Sequence, residues 1–244
     1  MTMSTRMTTT EPTTTEATTT GAALYRLMSW LSPAYPLGAF SYSHGLEYAV
    51  EAGRVTMVAA LIDWVGTVIE AGAGRVDAAL FVAAFRAVEA GDDLAFDALV
   101  ELAAAWRGSA ETALESAAQG AAFVAVTAAA WPHAEFARLA ARHGGQLPLP
   151  VAVGAASALH GISLSAAVSA YLQAFSANLI SAGVRLVPLG QTDGQRAIAA
   201  LEPVVARAAA AAADADLDAL GTAAPLLDWC SMRHETQYTR LFRS

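Results

Sequence analysis

Apolar residues recur at helical spacing along most of this chain, and glycine or proline interrupts them at short intervals. In one stretch a single helical face carries Leu61, Trp64, Val65, Val68 and Ile69. No segment alternates apolar and polar residues with the period of two that a strand requires. Alanine supplies much of the apolar content and favours closely packed helices. The sequence therefore predicts an all-α fold, a single bundle-like domain of about ten helices.

The first residues differ from the rest of the chain. Residues 1–21 are mostly threonine and lack the apolar stretch that a signal peptide needs. Such a polar, low-complexity segment buries too little apolar surface to offset the entropy of ordering it. We therefore expect a disordered tail over residues 1–21 and one helical domain over residues 22–244.

Charge and cysteine content limit the partners and the compartment. The formal net charge is −8, and all 14 basic residues are arginine. Nucleic acid and anionic lipid both require a basic surface, so we expect neither as a partner. Cys230 is the single cysteine, which rules out an intramolecular disulfide and is typical of a cytoplasmic protein.

Two apolar stretches need to be considered as membrane spans. Residues 117–132 are uncharged but short, and residues 147–184 are interrupted by Pro148, Pro150 and several polar side chains. A spanning helix needs about 20 strongly apolar residues. We therefore expect two buried regions and no insertion into a membrane.

Few residues have the spacing that catalysis requires. A P-loop needs a lysine, and the chain has none. The segment Ser41-Tyr-Ser43-His-Gly45 differs by one residue from a nucleophile elbow, because serine occupies the place of the first glycine. A helical hydrolase using this segment is the alternative function, but it lacks an identifiable acid partner. The prediction is a protein that is not an enzyme.

One pair of residues has the spacing of metal ligands. Cys230 and His234 are four residues apart and share a helical face. A closed metal site needs about four ligands, and Asp228 and Glu235 are not clearly on that face. A packed cysteine beside a hydrogen-bonded histidine is favoured over a transient nickel contact. Cys230 and His234 are therefore only weak metal candidates.

The segment from Leu31 to Glu47 is rich in residues that constrain a loop. Proline and glycine define a turn, two aromatic side chains are costly to expose, and the serines can cap a following helix predicted from Ser43 to Ala52. The acid near the start of that helix suits its macrodipole. A well-ordered helix–loop–helix is one interpretation and a binding site the other. The binding candidates are Pro36, Gly38, Phe40, Ser41, Tyr42, Ser43, His44 and Glu47.

The last residues combine aromatic and arginine side chains. Pro225 is predicted to start a final helix that runs towards Tyr238. Aromatic residues with arginine are the composition of interface anchors. The alternative is that this segment packs back onto its own core with its arginines solvated. The binding candidates here are Arg233, His234, Glu235, Tyr238, Arg240, Leu241, Phe242 and Arg243.

Taken together, these segments resemble the UreF family of urease accessory proteins. The resemblance depends on Pro36-Leu-Gly-Ala-Phe-Ser-Tyr-Ser-His-Gly-Leu-Glu47, on Gly190-Gln-Thr, and on His234-Glu with Arg240-Leu-Phe-Arg-Ser244. A weaker match is Ser116-Ala-Ala-Gln-Gly120. The resemblance as a whole covers residues 22–244, although residues 73–115 and 205–224 match only in their helical, alanine-rich character.

The resemblance implies a non-catalytic scaffold that matures urease. Proteins of this family are all-α homodimers that bind the accessory protein UreD, called UreH in some bacteria, and recruit the GTPase UreG. The assembly acts on apo-urease so that nickel and a carbamate enter its active site. We therefore expect no tightly bound cofactor, nickel being handled by the complex. Both candidate segments would be docking surface, and the C-terminal segment would become ordered on binding.

The resemblance also raises the question of the partner's GTPase activity. Arg240 or Arg243 would act as an arginine finger if either reached the transferring phosphoryl group. Simple interface contacts are the favoured interpretation for both arginines.

Overall fold

The computed structural model describes residues 19–244, which fold into helices joined by short connections without a β-strand in that range. This confirms the all-α fold in one domain. Residues 1–18, which include most of the tail predicted to be disordered, lie outside the described residues. The helices are α1 (Gly21–Trp30), α2 (Leu46–Glu51), α3 (Val58–Ala71), α4 (Ala73–Ala90), α5 (Asp93–Ala105), α6 (Ala110–Ala130), α7 (Ala134–Arg142), α8 (Leu149–Leu159), α9 (Leu164–Leu186), α10 (Gln191–Ala213) and α11 (Pro225–His234).

The core is built around α4 and α8, which pack against each other more extensively than any other pair of described helices. Every residue of α8 from Pro150 to Ser157 is buried, as expected of a helix that is apolar on all sides. Gly154 allows the close approach, because a Cβ there would lie 2.6 Å from the carbonyl oxygen of Phe81 on α4. Helices α3, α9 and α10 surround this pair.

Short-range signals in the sequence explain several helix ends. The Asp92 side chain accepts a hydrogen bond from the Ala95 amide at the start of α5. Ser109 and Thr112 form a reciprocal capping box at the start of α6. Gly91, with φ of 66°, ends α4 in the left-handed conformation that glycine tolerates. The threonine-rich segment also contributes a cap, since Thr20 accepts from the Ala23 amide at the start of α1.

Two helix boundaries differ from the prediction. Helix α2 begins at Leu46 instead of Ser43, because His44 and Gly45 have positive φ values of 52° and 72°. Helix α11 ends at His234 instead of continuing to Tyr238, and the residues after it turn back towards α2 and α6. Both differences lie in the segments predicted to bind partners.

Among the described helices, α6 alone is long and apolar enough to cross a membrane by length and composition. It carries Glu111 and Glu115, both less than 10% exposed, and it packs against α8. A core helix passes the same test as a membrane span.

Candidate docking site

The loop before α2 is held to α9 through its backbone. Pro36 precedes Gly38, whose φ of 73° starts a single 3-10 turn over Ala39–Ser41. Asn178 donates a hydrogen bond to the Ala39 carbonyl oxygen over 2.9 Å, and Arg185 donates to the Phe40 carbonyl oxygen over the same distance. The loop is therefore ordered, with the Phe40 side chain 66% exposed.

Glu47 joins α2 to the last residues of the chain. One carboxylate oxygen accepts from the Leu241 amide over 2.6 Å, and the other accepts from the Phe242 amide over 2.9 Å. The second oxygen also lies 3.0 Å from Nε2 of His234. Glu47 is only 7% exposed, and its carboxylate binds the distant chain end in addition to lying in the first turn of α2.

His234 continues this connection to α6. Its Nδ1 lies 2.8 Å from a carboxylate oxygen of Glu111, and Arg240 donates to the other oxygen of Glu111 over 2.7 Å. His234 is fully buried and Glu111 nearly so. Two carboxylates thus hold one imidazole between α2 and α6, where an uncompensated charge would be costly.

Ser43 completes the connection at the other end of the loop. Its amide and its hydroxyl both donate to the Ser244 carbonyl oxygen, and the Arg243 amide donates to the Ser41 carbonyl oxygen. Gly45 is needed beside it, because a Cβ there would lie 2.5 Å from the Ser231 amide nitrogen on α11. We call this arrangement the tail junction: Ser43, Glu47, Glu111, His234 and the backbone of residues 241–244.

His44 lies next to the tail junction in a conformation that is rare for residues other than glycine. Its Nε2 is 3.0 Å from a Glu115 carboxylate oxygen. Burial opposes protonation of the ring, but the charge and hydrogen bond of Glu115 outweigh it, so the pKa of His44 is raised above its ordinary value of 6.5.

The geometry does not support the hydrolase alternative. The Ser43 hydroxyl is fully buried and bonded to the Ser244 carbonyl oxygen, not to His44. Ser41 lies in the 3-10 turn, and no strand precedes it within residues 19–244. A nucleophile elbow needs a strand-to-helix turn that presents its serine to substrate.

The two weak metal candidates, Cys230 and His234, are in environments that do not suit a metal ligand. Both ring nitrogens of His234 face carboxylate oxygens, so neither is directed at a metal. Cys230 is buried, and burial raises the pKa of its thiol, which disfavours the thiolate that metals require. Residues 19–244 contain no cluster of three or more His, Cys, Asp or Glu suited to a metal ion.

The structure brings the two predicted segments together and divides their residues into two groups. Tyr42, Ser43, Glu47, His234 and Phe242 are buried in the contact between them. Gly38, Ser41 and His44 are half-buried. The C-terminal segment packs against α2 and α6 through Glu47 and Glu111, and its arginines are exposed. The exposed candidates are Pro36, Phe40, Arg233, Glu235, Tyr238, Arg240, Leu241 and Arg243.

The sequence analysis missed a further group of exposed side chains, which lies on α11. Trp229 is 42% exposed and packs edge-on against Tyr48, with ring centroids 5.4 Å apart. The Arg54 guanidinium lies 5.6 Å from the Trp229 ring, and Arg233 lies 5.9 Å from the Tyr48 ring. Leu226 and Met232 flank Trp229 on the outward side of α11. We call this set the α11 outer face: Tyr48, Arg54, Leu226, Trp229, Met232 and Arg233. The helical spacing of Leu226, Trp229 and Met232 was the sequence signal that could have indicated it.

Fold and site together define an all-helical protein whose two predicted segments pack against each other and leave aromatic and arginine side chains exposed. The UreF family model matches residues 55–202, and the chain belongs to this family. The urease accessory protein UreF of Granulibacter bethesdensis is 58% identical over 223 residues, covering 91% of this chain and 94% of that protein. UreF of Rhodopseudomonas palustris strain HaA2 is 56% identical over 224 residues, covering 92% and 94%. UreF of Bradyrhizobium diazoefficiens is 49% identical over 240 residues, covering 98% and 99%.

Proposed function

We propose that this chain is a non-catalytic scaffold of urease maturation that binds a UreD-type (UreH-type) accessory protein and a UreG-type GTPase and presents them to apo-urease. Nickel is then cargo of the assembled complex and not a resident cofactor of this chain. The scaffold acts in the cytoplasm as a homodimer. Its relatives carry the name of urease accessory proteins, and their similarity extends over nearly the whole chain.

The observation that carries this proposal is the α11 outer face. Trp229, Leu226 and Met232 are between 42% and 50% exposed on a helix of ten residues. Arg54 and Arg233 stack on aromatic rings but form no ion pair with a carboxylate within residues 19–244. Clustered aromatic and arginine side chains are the usual anchors of protein interfaces. Such a face suits a partner surface that combines apolar and acidic side chains.

The tail junction supports this role by fixing the residues around the face. His234 and Phe242 are buried, whereas Tyr238 is fully exposed and Leu241 is 65% exposed between them. Buried anchors on both sides hold the exposed residues close to one arrangement, which reduces the entropy lost on binding. The docking surface therefore includes the α11 outer face together with Tyr238 and Leu241.

Modulation of the partner GTPase is a narrower proposal. Arg240 is paired with Glu111, so it would have to leave that contact to reach a nucleotide. The Arg243 side chain is exposed and is the better placed of the two. An Arg243→Ala variant that binds the GTPase normally but leaves its GTP hydrolysis unstimulated would support an arginine finger.

Co-expression with the UreD-type protein, the UreG-type GTPase and apo-urease tests the scaffold. Trp229→Ala should abolish co-purification of a partner and nickel-dependent urease activation, while the circular dichroism of the free chain stays unchanged. Leu94→Ala is the matched control, because Leu94 is 81% exposed on α5, outside both candidate surfaces. Wild-type co-purification and activation by Trp229→Ala would refute this docking surface.

Point variants are preferable to deletion of the C-terminal segment. Removing residues 234–244 would leave Glu47 and Glu111 buried without His234 and the amides that they bind. Loss of binding could then follow from damage to the fold. Tyr238→Ala removes one exposed side chain and leaves the tail junction intact, and we expect it to weaken partner binding.

A further inference from the structure

Residues 235–244, the C-terminal tail, are held onto α2 and α6 by three buried carboxylates, those of Glu47, Glu111 and Glu115. The first accepts hydrogen bonds from the Leu241 and Phe242 amides, and the second accepts from Arg240. The third accepts from the Ser244 hydroxyl over 3.1 Å. All three residues are between 6% and 8% exposed, so each carboxylate needs a nearby positive charge to compensate its burial.

Each of these carboxylates also contacts an imidazole ring. His234 lies between two of them, with Nδ1 2.8 Å from Glu111 and Nε2 3.0 Å from Glu47. Nε2 of His44 lies 3.0 Å from Glu115. A neutral imidazole has a single N–H group and can donate to one acceptor only. His234 therefore satisfies both of its carboxylates only when both ring nitrogens are protonated and the ring is positively charged.

The charges that hold the tail balance only when both rings are protonated. Among the described residues, the three carboxylates face three basic groups: the guanidinium of Arg240 and the rings of His234 and His44. Asp77 and Arg107 also act on His44, but they form an ion pair with each other and add no net charge. Loss of both ring protons would leave two buried carboxylate charges without compensation.

The environment of His44 shows how the tail and the proton depend on each other. Burial opposes protonation of the ring, but the charge and hydrogen bond of Glu115 outweigh it and raise the pKa of His44 above 6.5. The Ser244 hydroxyl covers the same carboxylate. Departure of the tail would admit water to this pair and weaken it by screening. The ring therefore holds its proton more tightly while the tail is in place.

We propose that His234 and His44 form a proton latch: protonated, they hold the C-terminal tail onto α2 and α6, and loss of both protons in alkaline solution releases it. Release lets water solvate the three carboxylates. The α4–α8 core contains none of the latch groups and stays folded. Tyr238 and Leu241 of the proposed docking surface leave with the tail. This consequence for docking rests on the proposed function, whereas the release itself does not.

Fluorine NMR of the purified full chain, titrated from about pH 6 to about pH 10, tests the release. 4-Fluorophenylalanine in place of Phe242 reports on the tail, because that ring is 3% exposed. The same label in place of Phe81 reports on the core, where the ring is fully buried. The signal at position 242 should change from buried to solvent-exposed while the signal at position 81 stays constant. A tail that remains buried throughout, or two signals that change together, would overturn the proposal.

The steepness of the release counts the protons. The ratio of open to closed tail should rise by more than about tenfold per pH unit in the wild type, because two rings lose a proton. His44→Asn leaves one ring and should limit the rise to about tenfold. His143→Asn is the matched control, because His143 pairs with Asp97 away from the tail, and it should keep the wild-type steepness. Equal steepness of the wild type and His44→Asn would contradict the latch.

His234→Gln tests the central ring directly. Glutamine carries no charge and cannot compensate Glu47 and Glu111, so the tail should already be open at about pH 6 while the Phe81 signal is unchanged. A closed tail in this variant would refute the latch. The proton count of the wild type does not depend on this variant, so it decides the question even if the variant fails to fold.

Co-purification of the UreD-type protein over the same pH range separates the latch from the docking surface. Partner binding that falls as the tail opens would support both. Undiminished binding by the open chain would refute the docking surface and leave the latch standing. A tail that never opens would refute the latch and leave the scaffold proposal standing.

Discussion

The α4–α8 core and the tail junction are both buried, but they are held together by different forces. Between α4 and α8 the contact is apolar and depends on small residues, as at Gly154 beside the Phe81 carbonyl. In the tail junction the contact is a set of directed hydrogen bonds to Glu47 and Glu111. The core spreads its stabilisation over many dispersion contacts, whereas the junction concentrates it in two carboxylates.

This difference separates the stability of the fold from the geometry of the proposed docking surface. A change in the core should lower the stability of the whole domain, because its packing is shared by all the central helices. A single substitution in the tail junction should release residues 235–244 and leave the α4–α8 core in place, because the junction carboxylates lie on α2 and α6. The chain can therefore lose the geometry of the proposed docking surface without losing its fold.

The largest effect is expected from Gly154→Ala in the core. The new Cβ would lie 2.6 Å from the Phe81 carbonyl oxygen, and backbone atoms cannot move aside as a flexible side chain can. Separating α8 from α4 should cost about 3 kcal/mol of unfolding free energy. Urea denaturation followed by circular dichroism measures it.

Gly66→Ala on α3 is the matched control for that substitution. A Cβ at Gly66 would meet its nearest neighbour, Cδ2 of Leu201, at the ordinary distance of 3.8 Å. Alanine should therefore stabilise the helix by about 0.5 kcal/mol. Equal destabilisation by the two variants would contradict the close approach at Gly154.

Glu47→Gln should have the second largest effect and act on the tail junction. An amide group cannot accept three hydrogen bonds at the two positions where the carboxylate oxygens now receive Leu241, Phe242 and His234. We expect a loss of about 2 kcal/mol and faster hydrogen exchange at the amides of residues 241 and 242. Protection of the α4 and α8 amides should fall much less.

Glu51→Gln provides the control on the same helix. Glu51 is exposed and contacts Gln237, outside the tail junction. Its effect should stay below about 0.5 kcal/mol. If Glu47→Gln exposed the core amides as much as the tail amides, core and junction would form one cooperative unit.

The sequence predicted those parts of the fold whose cause lies within a few residues. Several helix ends are set by residues that are their immediate neighbours in sequence, namely Asp92, Ser109 and Gly91. Such helix limits can be found from the sequence pattern alone. The all-helical class followed from the same local periodicity.

The tail junction could not be derived in that way. Glu47 was assigned to the macrodipole of its helix, whereas its carboxylate binds amides 194 and 195 residues further along the chain. His234 was considered beside Cys230, yet its partners Glu47 and Glu111 are 187 and 123 residues away. Spacing identified the two segments, but only the tertiary structure pairs them and separates buried from exposed candidates.

His44→Asn should produce a smaller, pH-dependent effect beside the junction. Asparagine tolerates the positive φ but removes the ion pair with Glu115. Because the pKa of His44 is raised in the folded state, its contribution is fully present below pH 6.5, the ordinary value. It is then lost as the pH rises through the folded-state pKa. The wild type should exceed the variant by about 1.5 kcal/mol at low pH, and the gap should close on the alkaline side. A difference in unfolding free energy that increased with rising pH would contradict this prediction.

Arg240→Ala should give the smallest effect, although it too touches a carboxylate of the junction. The Arg240 side chain is 39% exposed, so water and salt screen its pair with Glu111, and His234 still satisfies that carboxylate. We expect a loss of about 0.5 kcal/mol that disappears in 1 M salt, measured by denaturation at two ionic strengths. The Glu47→Gln loss should persist in the same salt, because its partners are buried backbone amides and a buried imidazole. If 1 M salt removed the stability losses of Arg240→Ala and Glu47→Gln equally, the tail junction would be held by screened surface charge. The junction would then differ from the α4–α8 core only as a protein surface differs from a protein interior.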